Sequence, residues 1–482
     1  MTAPIARLFA LFVVLFAVLV GFTSRWTVFE AEDLRANSLN RRELLEELGV
    51  DRGRILAADG SVLAQSVQAK GDTFRRVYPQ GQLFAQVVGW SFPARGIPDT
   101  GTELYRRPAL LGRDNALSDA VNRLTGRKDV GNSVRTHLDP AGQRAAFEGL
   151  AGRPGAVVAL DPRSGAVLTM ASVPSFDPPD LAQARLAPGS PLLNRPTQGR
   201  YPPGSTFKVV TAIAALDSGR FNPSSVVDGS SPQEFSGVPL NNDSLRDYGP
   251  VSLTSALTNS VNTAWANVAV DLGRPTVERY MRRLGFNRLP ELDYPAEQMV
   301  ASGAVVDGSV VSPRDDRVDV ARLAIGQDKS LVTPLQMALV AASVANRGVL
   351  MKPRIAEEIL DPDGRVVATI QPERQSRVMS ARTARAINLM MQGVVNEGTG
   401  TAAALQGIDV AGKTGTAQID IDRGITQPWF IAFAPANAPR VAIAVTVERT
   451  FGGSGGTVAA PIARQVMEAL LRRDLTSASQ GQ

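Results

Sequence analysis

Tyr201-Pro202-Pro203-Gly204-Ser205-Thr206-Phe207-Lys208 runs into an apolar helical pattern. Proline and glycine ahead of such a pattern mark a helix start. Ser205 therefore stands at a helix N-terminus, where free backbone N–H groups and the helix dipole favour negative charge. Lys208 follows three residues later, on the same helix face. A serine hydroxyl is a poor nucleophile until a neighbouring base takes its proton. The chain has one histidine, so a lysine is the natural candidate, provided its proton affinity falls from the ordinary ~10.4 through burial or a second positive charge. At ~4 Å and an effective dielectric of 20, a like charge contributes about 4 kcal/mol, roughly three pKa units. This segment therefore calls for another lysine nearby. Taken alone, Ser-x-x-Lys also describes an ordinary exposed helix start.

Two further segments answer that need. Ser260-Val261-Asn262 lies in a helical region, where a hydroxyl can pass protons and an amide can hold a carbonyl; by itself the pattern is weak, since Ser38-Leu39-Asn40 matches it too. Lys413-Thr414-Gly415-Thr416 lies on a strand pattern. Strand alternation puts Lys413 and Gly415 on one face and Thr414 and Thr416 on the other. Gly415 admits a close backbone approach, Lys413 supplies the second positive charge, and the threonine hydroxyls suit a ligand carboxylate.

Composition narrows the chemistry further. The chain has 482 residues, 44% hydrophobic, enough for two to four domains at ~150 residues each. Zero cysteines exclude a disulfide scaffold, a thiolate metal site and a cysteine nucleophile, and a single histidine excludes a multi-histidine metal centre. The 51 Lys and Arg against 46 Asp and Glu give a dilute net charge of +5 with no long basic run, so no nucleic-acid footprint is present.

Leu8–Ser24 is an uncharged apolar run flanked by Arg7 and Arg25-Trp26. Its seventeen residues would span roughly 25 Å as a helix, a little short of a ~30 Å hydrocarbon core. No small-x-small cleavage pattern follows Gly21, so the run reads as an uncleaved signal anchor with residues 1–7 as a cytoplasmic stub and the bulk of the chain exported. Residues 25–150 read as a smaller, irregular α+β region, with a hairpin turning at Asp59-Gly60-Ser61. From Gly155 onward a strand pair (Ala156–Leu160, Ala166–Met170) is followed by a Pro-rich loop to Pro203, helical patterns over 205–350, strands at Gly412–Gln418, Trp429–Ala434 and Val441–Glu448, and a last helix near Ala460–Arg473. Strands at both ends with helices between predict an α+β domain over 151–474 whose sheet is closed by its first and last elements, with a polar tail at 475–482.

Ser-x-x-Lys, Ser-x-Asn and Lys-Thr-Gly in this order form the set shared by serine β-lactamases and penicillin-binding proteins. The chain resembles a class B penicillin-binding protein of the A type, over about residues 52–470. Arg52-Gly53-Arg54-Ile55 with Asp59-Gly60, and Gly101-Thr102-Glu103-Leu104-Tyr105 with Leu111-Gly112, are similar to motifs of the family's N-terminal pedestal. Leu138-Asp139 with Gln143 fits the domain junction, Gly326-Gln327 with Thr333-Pro334-Leu335-Gln336 fits the transpeptidase domain, and Trp429–Pro435 fits the strand after Lys-Thr-Gly; Asp328 stands where the family often has glycine. The resemblance implies a membrane anchor, a pedestal and a transpeptidase domain with an antiparallel sheet covered by helices on both sides. It implies peptidoglycan D,D-transpeptidation with release of D-Ala: Ser205 as nucleophile, Lys208 as general base, Ser260 as proton relay, Asn262 as positioning amide, Lys413 as field, and Thr414, Gly415 and Thr416 as the donor-binding edge. The backbone N–H groups of Ser205 and Thr416 would form the oxyanion hole. No cofactor and no metal is implied. Implied partners are stem peptides, β-lactams, the membrane and a SEDS-type glycosyltransferase with division or elongation proteins. The rival readings are a β-lactamase or D,D-carboxypeptidase using the same acyl-serine chemistry, and a non-catalytic β-lactam sensor or scaffold. No Glu-x-x-Leu-Asn pattern follows Ser260, which counts against a class A β-lactamase, and Asn262 stands where class D enzymes carry valine. His137, far in sequence from all three motifs, reads as structural.

Overall fold

A computed structural model describes residues 3–25, 47–113 and 130–479, with side chains described as far as residue 472. Ser38-Leu39-Asn40 lies outside these residues. The first element, helix α1 (Ala3–Ser24), is exposed along its whole length and is long and apolar enough to cross a membrane. It starts five residues before the expected Leu8, with Pro4 in the first turn, where its missing N–H costs nothing. At 22 residues it reaches about 33 Å, which removes the shortfall expected of Leu8–Ser24 alone.

Strands β1 (Ile55–Leu56), β2 (Val62–Gln68), β3 (Phe74–Val77) and β4 (Ser133–Thr136) build a first sheet; β5 (Gly155–Leu160) and β6 (Val167–Val173) open a second. The chain then returns to the first sheet with β7 (Ala356–Leu360) and β8 (Val366–Thr369), and completes the second with β9 (Ala411–Asp420), β10 (Ile425–Ala434) and β11 (Val441–Val447). The first sheet runs β8-β7-β4-β1-β2-β3, so two strands from the C-terminal half extend the pedestal. That sharing crosses the expected 150/151 division, as does the helix Pro140–Leu150, which packs with the second sheet rather than the first.

The second sheet runs β9-β10-β11-β5-β6, antiparallel throughout, with the last-made strand β11 beside the first-made β5 (Val445 opposite Val157). Its helices include α2 (Pro140–Leu150), α3 (Lys208–Asp217), α4 (Leu253–Thr258), α5 (Asn262–Leu272), α6 (Pro334–Ala345), α7 (Ala381–Asn396) and α8 (Ala460–Ser479). Alternation decides which layer each residue joins. Trp429, Ile431 and Phe433 of β10 pack with Val158 and Leu160 of β5 against α6, while Phe430, Ala432 and Ala434 pack with Val157 and Ala159 against α2 and α8. Both faces are covered, so β5, β10 and β11 read as continuous apolar runs rather than alternating ones. Helix α6 is buried on all sides, which explains why Thr333-Pro334-Leu335-Gln336 starts it so firmly. Thr333 Oγ1 accepts from Gln336 N (3.2 Å), and Gln336 Nε2 donates to Leu284 O (2.9 Å).

Several expectations shift. The Pro-rich stretch after β6 carries helical turns at Leu181–Leu186 and Arg195–Gln198 rather than plain loop. The helical 205–350 region is interrupted by short strands such as Val226–Asp228 and Gly303–Val306. β9 and β10 are longer than expected and turn at 421–424, because their outer ends continue to pair beyond the apolar core. α8 runs on to Ser479.

The two pedestal motifs meet in the interior. Arg52 Nε lies 3.1 Å from Glu103 Oε2, Arg76 Nε lies 2.6 Å from Glu103 Oε1, and Arg52 Nη2 lies 2.9 Å from Asp99 Oδ2. Burial alone would lower the Arg52 pKa, but Glu103 and Asp99 hold it above its ordinary value. His137 follows β4, its N–H donating to Ile355 O (2.9 Å), within the shared sheet and outside the site described next.

Candidate active site

Ser205 lies half-buried on a 3₁₀ turn (Gly204–Phe207) that leads directly into α3. The turn is held from three sides. Gly204 N donates to Gly326 O (2.9 Å), Trp429 Nε1 donates to Pro202 O (2.9 Å), and Tyr201 exchanges both backbone hydrogen bonds with Val332 (2.9 Å each). Gly326 has φ +75°, and a Cβ there would lie 2.1 Å from Gly204 O, so glycine is required. Behind the turn, Tyr201 OH donates to Glu448 Oε1 (2.5 Å), which also accepts from Arg195 Nε (2.7 Å).

Lys208, the first residue of α3, is wholly buried. Its Nζ donates to Ser260 O (2.7 Å), Ser260 Oγ (3.2 Å) and Asn262 Oδ1 (2.6 Å). Lys413, also wholly buried, reaches the same hydroxyl from β9: Nζ to Ser260 Oγ is 3.0 Å, with Thr414 O at 3.0 Å. One serine hydroxyl thus bridges two lysines. Burial, and after it the Lys413 charge, hold the Lys208 ammonium well below its ordinary pKa, while Asp243 opposes the shift. Burial brings Lys413 down to about 7. The second positive charge that the sequence calls for is therefore present.

Ser260 is not within a helix, as expected, but in the break between α4 and α5, at φ +58°. A left-handed non-glycine residue costs about 1–3 kcal/mol. Here it turns both the carbonyl and the hydroxyl of one residue toward Lys208. Asn262, opening α5, is fixed on its other side by Nδ2 donating to Asn241 O (2.9 Å).

β9 is the edge strand of its sheet and lies against the Ser205 turn. A Cβ on Gly415 would sit 2.6 Å from Pro203 O and 2.9 Å from Thr206 Cγ2, so only glycine permits this approach. Thr414 and Thr416 face the other way, as alternation predicts. Thr414 Oγ1 pairs with Thr399 Oγ1 (2.5 Å), and Thr416 Oγ1 accepts from Gly455 N (3.1 Å). All eight expected site residues thus converge on one edge. Sequence reasoning missed Thr399, Gly455 and Asn241. Glu397-Gly398-Thr399-Gly400 and Gly452-Gly453-Ser454-Gly455-Gly456 were visible as glycine-rich stretches, but nothing in them points to β9.

Residues 155–468 match the penicillin-binding protein transpeptidase domain, and residues 52–134 match the penicillin-binding protein A dimerisation domain. The chain belongs to the penicillin-binding protein family. Among similar penicillin-binding proteins, the peptidoglycan D,D-transpeptidase PbpA of Mycolicibacterium smegmatis is 35% identical over 98% of this chain and 99% of its own length. PbpA of Mycobacterium tuberculosis is likewise 35% identical over 98% of this chain and 99% of its own. The solved structure of M. tuberculosis penicillin-binding protein A as a ceftriaxone acyl-enzyme complex superposes with a TM-score of 0.80 at 33% identity, covering 88% of this chain and 99% of that one.

Proposed function

We propose that this penicillin-binding protein is a peptidoglycan D,D-transpeptidase that works through an acyl-enzyme on Ser205, the residue that β-lactams also acylate. The observation that carries the reading is the pair of fully buried lysines sharing the Ser260 hydroxyl beside the Ser205 turn. Burying two like charges is costly and has no structural return. Burial, and after it the Lys413 charge, favours the neutral form of Lys208, which is what a serine nucleophile without histidine requires.

In this reading Ser205 Oγ attacks the carbonyl carbon of the penultimate D-Ala, and its proton passes to Lys208 Nζ. Base catalysis of this kind contributes typically 10²–10⁴-fold. The tetrahedral oxyanion is held by the backbone N–H groups of Ser205 and Thr416, each such donor being worth ~10²–10³. The C–N bond to the terminal D-Ala breaks, and Ser260, hydrogen-bonded to both lysines, relays the proton to the leaving nitrogen. Asn262 orients Lys208, and Lys413 with Thr414 and Thr416 receives the donor carboxylate. An amine of a neighbouring stem peptide then attacks the ester, its proton returns to Ser205 Oγ through Lys208, and the cross-link forms.

Helix α1 anchors the chain, with its amino end toward the inside and the bulk of the chain outside the cell membrane. The first sheet, completed by β7 and β8, forms the pedestal, and the second sheet with helices α2–α8 forms the transpeptidase domain. A SEDS-type glycosyltransferase is the partner that the pedestal and anchor would serve. The names of the similar proteins and the acyl-enzyme state of the solved relative support the chemistry. The test is fluorescent-penicillin labelling of the full chain in detergent beside Ser205→Ala. A label stable for hours that vanishes in the variant is expected. A label lost within minutes would mean a hydrolase instead, and no label on the parent chain would sink the reading.

A further inference from the structure

An asparagine amide has two ends of nearly the same shape, one an acceptor and one a pair of donors. Lys208 needs the oxygen of Asn262 facing it; the reversed amide would set N–H groups against N–H groups. What selects the working orientation is the acceptor on the far side, Asn241 O, 2.9 Å from Asn262 Nδ2. That acceptor is a backbone carbonyl on an otherwise exposed segment, 241–247, in which Ser244 and Leu245 both have positive φ. The segment makes a single 3₁₀ turn, with Leu245 N donating to Asn242 O (3.1 Å) and Arg246 N to Asp243 O (3.2 Å). Within it the side chain of Asn242 is buried, 3% exposed, and satisfies four partners: Nδ2 donates to Gly229 O (2.9 Å) and Arg246 O (3.0 Å), and Oδ1 accepts from Thr263 N (3.1 Å) and Thr263 Oγ1 (3.1 Å). Its backbone N–H donates to Ser231 Oγ (3.1 Å). The neighbouring pairs 241–242 and 262–263 are thus clasped twice, once through Asn262 and once through Asn242.

We infer that Asn242 is a positioning residue for the acyl-transfer reaction: by tying residues 241–246 to the start of α5, it sets the orientation of the Asn262 amide and so the placement of Lys208. The inference rests on the acyl-serine reading above. Asn242 touches none of the reacting groups. The charged groups facing Lys208 are Lys413 from β9 and Asp243 from this same segment.

The experiment is the second-order rate of acylation of the full-length protein by a fluorescent penicillin, counted per titratable site, across pH. Asn242→Ala is expected to acylate about tenfold more slowly, since small misplacements of a catalytic group cost at least that much. Its acid limb should also move to lower pH, because the lost Asn262 acceptor had stabilised the Lys208 ammonium. Thr263→Val, which removes one of the four bonds, should lose about two- to threefold in the same direction, and Thr263→Ser should restore the parent rate. The Thr263 pair decides the matter if Asn242→Ala does not fold. Parent-like rate and acid limb in these variants would overturn the inference, as would a lower rate with an unmoved limb, which marks a structural role only. Failure of the parent chain to label would instead overturn the acyl-serine reading itself.

Discussion

Two of the places where the described residues bury charge do so in opposite ways. In the pedestal, Arg52 and Arg76 enclose Glu103, with Asp99 completing the set, so cations and anions compensate at 2.6–3.1 Å. At the edge of the second sheet, Lys208 and Lys413 are just as buried but share only a neutral hydroxyl. The first arrangement has a geometric return: it locks two distant stretches of chain together. The second has none and leaves two lysines poised to lose protons. Buried charge with its counter-charge marks architecture; buried charge without it marks chemistry.

Four variants press on that contrast. Lys208→Met should lower acylation by about 10²–10⁴ while leaving the melting temperature unchanged or raised, because it deletes an uncompensated buried cation. A melting temperature that falls sharply would break the contrast. Glu103→Ala should do the reverse. It strands the buried Arg76 guanidinium, leaves Arg52 with Asp99 alone, and should cost about 3–5 kcal/mol in denaturant unfolding, with acylation per folded molecule preserved. Lys413→Met removes the like charge that depresses Lys208, so the acid limb of acylation should move to higher pH in stopped-flow measurements. The same lysine should make the parent chain gain stability as pH rises from about 7 toward 10.5, since the unfolded chain keeps that proton over the range in which the folded chain has released it. The smallest effect belongs to His137. Burial, and after it Arg354, bring its pKa from 6.5 down to about 4. The folded protein should lose stability as pH falls from 6.5 toward 4, because only the unfolded chain then takes up the proton. His137→Gln should flatten that part of a melting-temperature profile.

The reactive groups were legible because each carries local information. Ser205 and Lys208 share a turn and Lys413 and Gly415 share a strand face, placements that follow from spacing, while their roles came from the resemblance. The contrast in burial was half legible: the need for a second lysine followed from electrostatics, but the left-handed break that turns Ser260 toward both lysines did not, because serine carries no signal for positive φ. Asn241 and Thr399 meet Asn262 and Thr414 only through tertiary packing and were invisible for that reason. The sheets divide similarly. β5, β10 and β11 announce themselves as apolar runs, β9 through Lys-Thr-Gly-Thr, and their closure follows from order. β7 was missed because its partner β4 lies more than 200 residues earlier, and β8, which pairs with β7 and not with β4, was missed with it.

The pairing of β11 with β5 bears on how the molecule is made. A chain emerging amino end first presents β5 and β6 early, but the partner that β5 needs along its other edge arrives only with residues 441–447. Ser205 and Lys208 are synthesised long before Lys413, and no working site exists until almost the whole polypeptide has been delivered to one compartment. A truncated or stalled chain is therefore inert by construction, and activity appears in one step at the end of biogenesis, in the compartment where the last strand arrives.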